Sequence, residues 1–121
     1  MSQDNAAEFI ACLMHARTTA HMLHLQTRSY AEHKALEGFY EGIVDALDSY
    51  AEAYQGLYGI IETYPGGFTV PTESPALELK KIALAVRTQR KGLPQDSELQ
   101  NLIDEIADLI DGTIYKFRFL K

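Results

Sequence analysis

The chain is short of cysteine, of proline and of positive charge, and it has no long apolar run. A single cysteine, Cys12, excludes an internal disulfide framework, so these 121 residues must fold by burying apolar surface, which a chain of this size can do. Nothing around Cys12 points to an activated thiolate, and it is expected as a small buried hydrophobe in a reducing compartment. No window reaches the ~18 apolar residues of a membrane span. The start, MSQDNAAEF, lacks the basic residues and apolar stretch of a signal peptide, so a soluble, cytoplasmic protein is expected. Seventeen acidic against 11 basic residues leave a net charge of -6, which opposes a phosphate backbone and disfavours nucleic acid as a partner. The chain contains neither an internal repeat nor a low-complexity segment.

The four prolines fall at 65, 71, 75 and 94, which leaves the rest of the chain free for helix. Phe9, Ile10, Leu13, Met14, Arg17, Ala20, His21 and His24 recur at three- and four-residue steps, with Asp4 or Asn5 as a cap. Ser29 followed by Glu32 forms a capping-box pattern that starts a second helix at Tyr30. Leu36, Phe39, Tyr40, Ile43, Leu47, Tyr50, Tyr54 and Leu57 cover one side of that helix. Gly38 and Gly42 lie inside it at a cost of roughly 1 kcal/mol each relative to alanine, which points to a close approach on that side, a partner helix being one candidate.

The stretch TYPGGFTVPTES breaks the pattern, and Ser74 with Pro75 starts a third helix that Gly92 and Pro94 end. Asp96 or Ser97 starts a fourth helix, with Ser97 and Gln100 as another capping box and Leu99, Leu102, Ile103, Ile106 and Ile110 on one face. The periodicity predicts an all-α single domain with helices over about 5–27, 30–60, 75–92 and 97–119. Short links and one long one make this an up-down four-helix bundle with a crossover between the second and third helices.

The chemistry-bearing residues lie on the second helix. His33, Glu37, Asp48 and Glu52 fall within roughly 100° of arc, so one helix face presents all of them. Glu37 and Asp48 are ~16 Å apart along the axis, too far for one ion to bridge. A shared site therefore needs a second helix; two copies meeting antiparallel about a two-fold axis near Gly42 would set His33 and Glu37 opposite Asp48 and Glu52. A turn near Arg28 would bring His24 to the height of His33, with His21 one turn further back as the alternative. Carboxylates with an imidazole suit iron(II), manganese or zinc. Against this stands a plainer reading, in which Glu37, Glu41, Asp45, Asp48 and Glu52 are a solvated acidic face.

From His24 to Gly56 the sequence HLQTRSYAEHKALEGFYEGIVDALDSYAEAYQG resembles the metal-binding segment of the Dps-like ferritins. That pattern is roughly H-W-x-x-x-G, then F-x-x-x-H-x-x-F/L-D/E, then D-x-x-A-E-R. His33 takes the place of the second histidine, Glu37 that of the next carboxylate, and Asp48 and Glu52 those of the last acidic pair. The resemblance implies a ferritin-like homo-oligomer, at least a two-fold dimer through the second helix, that binds iron between subunits and oxidises Fe(II) with peroxide or dioxygen. The metal ligands would be His24, His33 and Glu37 of one subunit with Asp48 and Glu52 of the other. Leu25 stands at the family's tryptophan and the central loop is short, which leaves open a compact, virus-encoded relative that is a non-enzymatic interaction or assembly protein without the metal site.

Overall fold

A computed structural model describes residues 3–121. Four α-helices form it: α1 (Gln3–Gln26), α2 (Tyr30–Tyr58), α3 (Pro75–Gln89) and α4 (Ser97–Phe119). A 3-10 turn, Arg90–Gly92, tightens the end of α3, so the α-helix proper stops before the expected residue 92. No strand occurs among the described residues, and no helix there is long and apolar enough to cross a membrane.

The helix ends show which local signals operate. Ser29 Oγ accepts from the Glu32 N–H at 3.2 Å, the first half of the expected box. The second half differs: the Glu32 carboxylate accepts from the Thr27 hydroxyl at 2.7 Å, and Thr27 Oγ1 takes the Ser29 N–H at 3.1 Å. Thr27 thus stands between two groups that a box would join directly. Ser74 caps α3 through the Leu77 N–H, with Pro75 at its first position. Gly59, at φ +100°, closes α2 in a backbone conformation that a side chain would strain.

Two caps depart from the sequence pattern. Asp4 and Asn5 lie within α1, because Gln3 is already helical. At α4 the cap is Asp96, one of the two expected starts, but Ser97 and Gln100 do not form a box, because Gln100 is drawn to the α3–α4 link. There its side chain accepts from Arg90 Nε at 3.0 Å and donates to the Pro94 carbonyl at 3.0 Å. A buried link with several unmet backbone groups outcompetes an exposed cap for the same amide.

Hydrogen bonds between helix ends set the directions. Gln3 donates to the Ile60 carbonyl, Asn5 to the Gly92 carbonyl, and the Tyr58 hydroxyl to Asp96. The start of α1, the ends of α2 and α3 and the start of α4 therefore share one end of the bundle. Around its axis α1 adjoins α2 and α3, and α4 adjoins the same two, so α2 and α3 are diagonal. The segment 59–74 must climb the length of the molecule, and it does so over α1 and α3. Ile61 is buried, Phe68 packs edge-on to His15 with centroids 5.4 Å apart, and the N–H groups of Thr72 and Glu73 donate to Glu78 on α3.

One contiguous core fills the space between the helices, with Phe9, Ile10, Leu13, Leu36, Phe39, Ile43, Tyr50, Leu79, Leu99, Ile103 and Ile106 essentially free of solvent. Gly42 has the close neighbour that its cost suggested: a Cβ there would lie 3.3 Å from Leu109 of α4. Gly38 has none, since a Cβ there would meet nothing within 4 Å. Cys12 is half-buried beneath the crossover, and burial holds its thiol above the ordinary range, as suits a packing residue.

Candidate functional site at the α1–α2 turn

Three residues, 27–29, turn the chain from α1 into α2, so the last turn of one helix lies beside the first turn of the other. His24 and His33 meet there. His24 Nδ1 lies 2.7 Å from the carbonyl of His33, and His33 Nδ1 lies 2.8 Å from the carbonyl of His24. A carbonyl can only accept, so both Nδ1 atoms act as donors in this exchange. The rings stack with centroids 3.6 Å apart and planes at 19°. The exchange also satisfies a backbone need, because the His24 carbonyl is among the last four of α1, which have no partner within the helix.

Further rings extend the pair in both directions. Tyr30 flanks His33 at 6.3 Å, Tyr40 meets His24 edge-on at 5.2 Å, and His21 stacks on Tyr40 at 4.3 Å and 18°. His24 is buried, His33 and Tyr40 are half-buried, and His21 and Tyr30 are exposed. The seam between the two helices is thus a run of five rings, wet at both ends.

Glu37, one turn beyond His33, accepts from Lys34 Nζ at 3.0 Å. That bond, the Lys34 charge and, to a smaller degree, the two imidazoles hold its carboxyl below the usual range. Asp48 and Glu52 lie ~16 Å and more down α2 from Glu37 and are exposed. The structure therefore brings together His24, His33 and, beside them, Glu37, with His21 one ring further along, and leaves Asp48 and Glu52 apart. Among the described residues of one chain no group of three or more His, Cys, Asp or Glu side chains is placed to hold a metal ion.

The ring geometry bears on metal fit. An ion bound by two imidazoles sits ~2.0–2.1 Å from each nitrogen, along lone pairs that lie in the ring planes. Planes stacked face to face at 3.6 Å do not meet at such a point. As they stand, the pair offers an ion one imidazole and not two.

Four participants were not singled out by sequence reasoning, among them Tyr30, which figured only as the first residue of α2. Tyr40 was assigned to the apolar stripe, although its seven-residue spacing from His33 puts it on nearly the same side of α2. Lys34 carried a usable signal, the three-residue spacing to Glu37. Thr27 carried none, since its role depends on the path of the turn.

Fold and site together define an all-helical four-helix bundle with a clasped imidazole pair at one end of its first hairpin. Residues 24–117 match the family of unknown function DUF5856, and the chain belongs to that family. A protein of Enterobacteria phage T4, described as an uncharacterized 14.6 kDa protein in the mobD-ri intergenic region, is 28% identical over 117 residues, which are 95% of this chain and 86% of that protein. No solved structure matches the chain.

Proposed function

We propose that this protein is a non-enzymatic assembly module: a compact bundle that acts by presenting its helix faces to other chains, with the His24–His33 pair clasping the first hairpin. One observation carries this reading. The donors expected at an iron site are engaged inside the chain or stand alone: His24 and His33 bond to each other's backbone and stack, Glu37 is paired with Lys34, and Asp48 and Glu52 are distant. The phage relative suits a compact, virus-encoded bundle. The test is elemental analysis of the purified protein, with solution mass compared between wild type and Glu37→Gln, a position outside the exposed acidic run of Glu41, Asp45, Asp48 and Glu52. No bound metal and an unchanged assembly are expected; stoichiometric iron in the wild type would overturn the proposal.

A second reading has its own support. Both Nδ1 atoms donate to backbone carbonyls, which is how metal-binding histidines are commonly oriented, with Nε2 left for the ion. In this reading the bundle is ferritin-like, and an intersubunit site joins His24 or His33 and Glu37 to Asp48 and Glu52 of a second copy, where Fe(II) is oxidised. Anaerobic Fe(II) titration followed by peroxide or dioxygen decides it. Saturable binding and slower oxidation in Glu52→Ala are the results it requires.

A further inference from the structure

The α3–α4 side of the bundle carries a surface that the fold does not use. Two adjoining hollows of about 440 and 380 Å³ lie between the start of α3 and the end of α4, sharing Lys80, Ile114 and Arg118 in their walls. Large apolar side chains stand open beside them: Leu84 is 64% exposed, Tyr115 53% and Phe119 62%. Their outer edge is cationic. Among the described residues Lys80, Arg118 and Lys121 have no carboxylate within ion-pair distance, and Arg87 has only Asp111 at 3.8 Å. Apolar area edged by an excess of cations, with Asp111 the acidic residue in its walls, is the make-up of an interface suited to an acidic partner.

The same chain carries a matching surface. Glu41, Asp45, Asp48 and Glu52 are exposed along α2, and among the described residues none lies within ion-pair distance of a cation. They form one face ~16 Å long. Two such faces set against each other about a two-fold axis would repel, whereas the α2 face of one copy set into the α3–α4 hollow of another pairs opposite charges. The acidic residues lie on the side of α2 opposite its buried stripe, so they face outward and cannot be seated in the α3–α4 hollow of their own chain. Each copy therefore keeps one free surface of each kind when it docks, which is the condition for a head-to-tail ring or filament.

We infer that the protein self-associates heterologously, with the acidic α2 face of one copy seated in the basic, aromatic α3–α4 hollow of the next. This rests on the assembly reading above and specifies its partner as a second copy of this chain. The experiment measures solution mass against concentration, in low and in high salt, for the full-length wild type and two charge-reversed variants, Asp48→Lys/Glu52→Lys and Lys80→Glu/Arg118→Glu. All four positions are exposed, and circular dichroism checks that each variant is folded. The wild type should associate, and more weakly as salt rises. Each variant alone should associate about tenfold more weakly or worse, and an equimolar mixture of the two should reassemble, because each supplies the charge that the other now needs. A wild type that stays monomeric at every concentration overturns the inference. So does a Lys80→Glu/Arg118→Glu variant that assembles like wild type, or a mixture that does not reassemble. Metal content of the same samples reads the parent proposal separately: an iron-free wild type whose assembly ignores the hollow sinks only the head-to-tail contact.

Discussion

His24 and His33 each donate from Nδ1 to the other's backbone carbonyl, at 2.7 and 2.8 Å, so the two helices of the first hairpin are tied by a reciprocal pair of bonds across a three-residue turn. Truncating either ring removes one bond and breaks the stack. His24→Ala and His33→Ala are each expected to cost about 1–3 kcal/mol in urea unfolding, the buried His24 being the dearer. A double-mutant cycle should return a coupling of at least ~0.5 kcal/mol; strictly additive losses would show that the rings do not act together.

Glu78 anchors the crossover. Its carboxylate, on a residue 9% exposed, accepts from the N–H groups of Thr72 at 3.1 Å and Glu73 at 2.9 Å, with Lys81 at 3.8 Å. Glu78→Ala should lower stability by about 1–3 kcal/mol and speed amide exchange at 72 and 73, since bonds to an ionised acceptor are among the stronger ones. Unchanged protection at both amides would contradict this.

Tyr50 makes alkaline stability testable. Burial pushes its phenol up to about 12, with Tyr54, Asp96 and Tyr58 adding to the rise. The usual value is ~10, so above that pH the unfolded chain loses this proton more readily than the folded one. Stability from Tyr50 is therefore present below pH ~10 and lost as the pH climbs toward 12, by an amount on the order of 1–3 kcal/mol. Among the described residues its hydroxyl has no partner. Tyr50→Phe should then be neutral or slightly stabilising at pH 7 and should show a shallower alkaline decline than wild type, and an equally steep decline would refute the assignment.

The two glycines of α2 should respond differently to alanine. At Gly38 nothing lies within 4 Å of a new Cβ, so Gly38→Ala is expected to stabilise the protein by about 0.5–1 kcal/mol. At Gly42 the methyl would press on Leu109 at 3.3 Å, and the gain should be smaller or absent. Thermal unfolding of the two variants side by side checks the order.

Much of the helical outline was legible because each helix announces itself locally. Periodic apolar residues, Ser29 and Ser74 as caps, and the prolines of the crossover depend only on neighbours within a turn or two. The capping box at Ser97 failed because Gln100 had better partners in the α3–α4 link, which no local spacing reveals. The histidines show both sides of this limit. That a turn near Arg28 would level His24 with His33 follows from helix rise and link length. That the rings stack and bond to each other's carbonyls follows from how the two helices are rotated, which the core decides.

By itself the sequence determined the number of helices, the long crossover and the acidic face of α2, because helix period, caps and charge spacing are properties of short segments. Only the tertiary structure decided that the imidazoles face each other and that residues of α3 and α4 come together in one basic, aromatic hollow. Those relations depend on the packing of side chains far apart in the chain, where each helix turns whichever face best fills the shared core toward its neighbours.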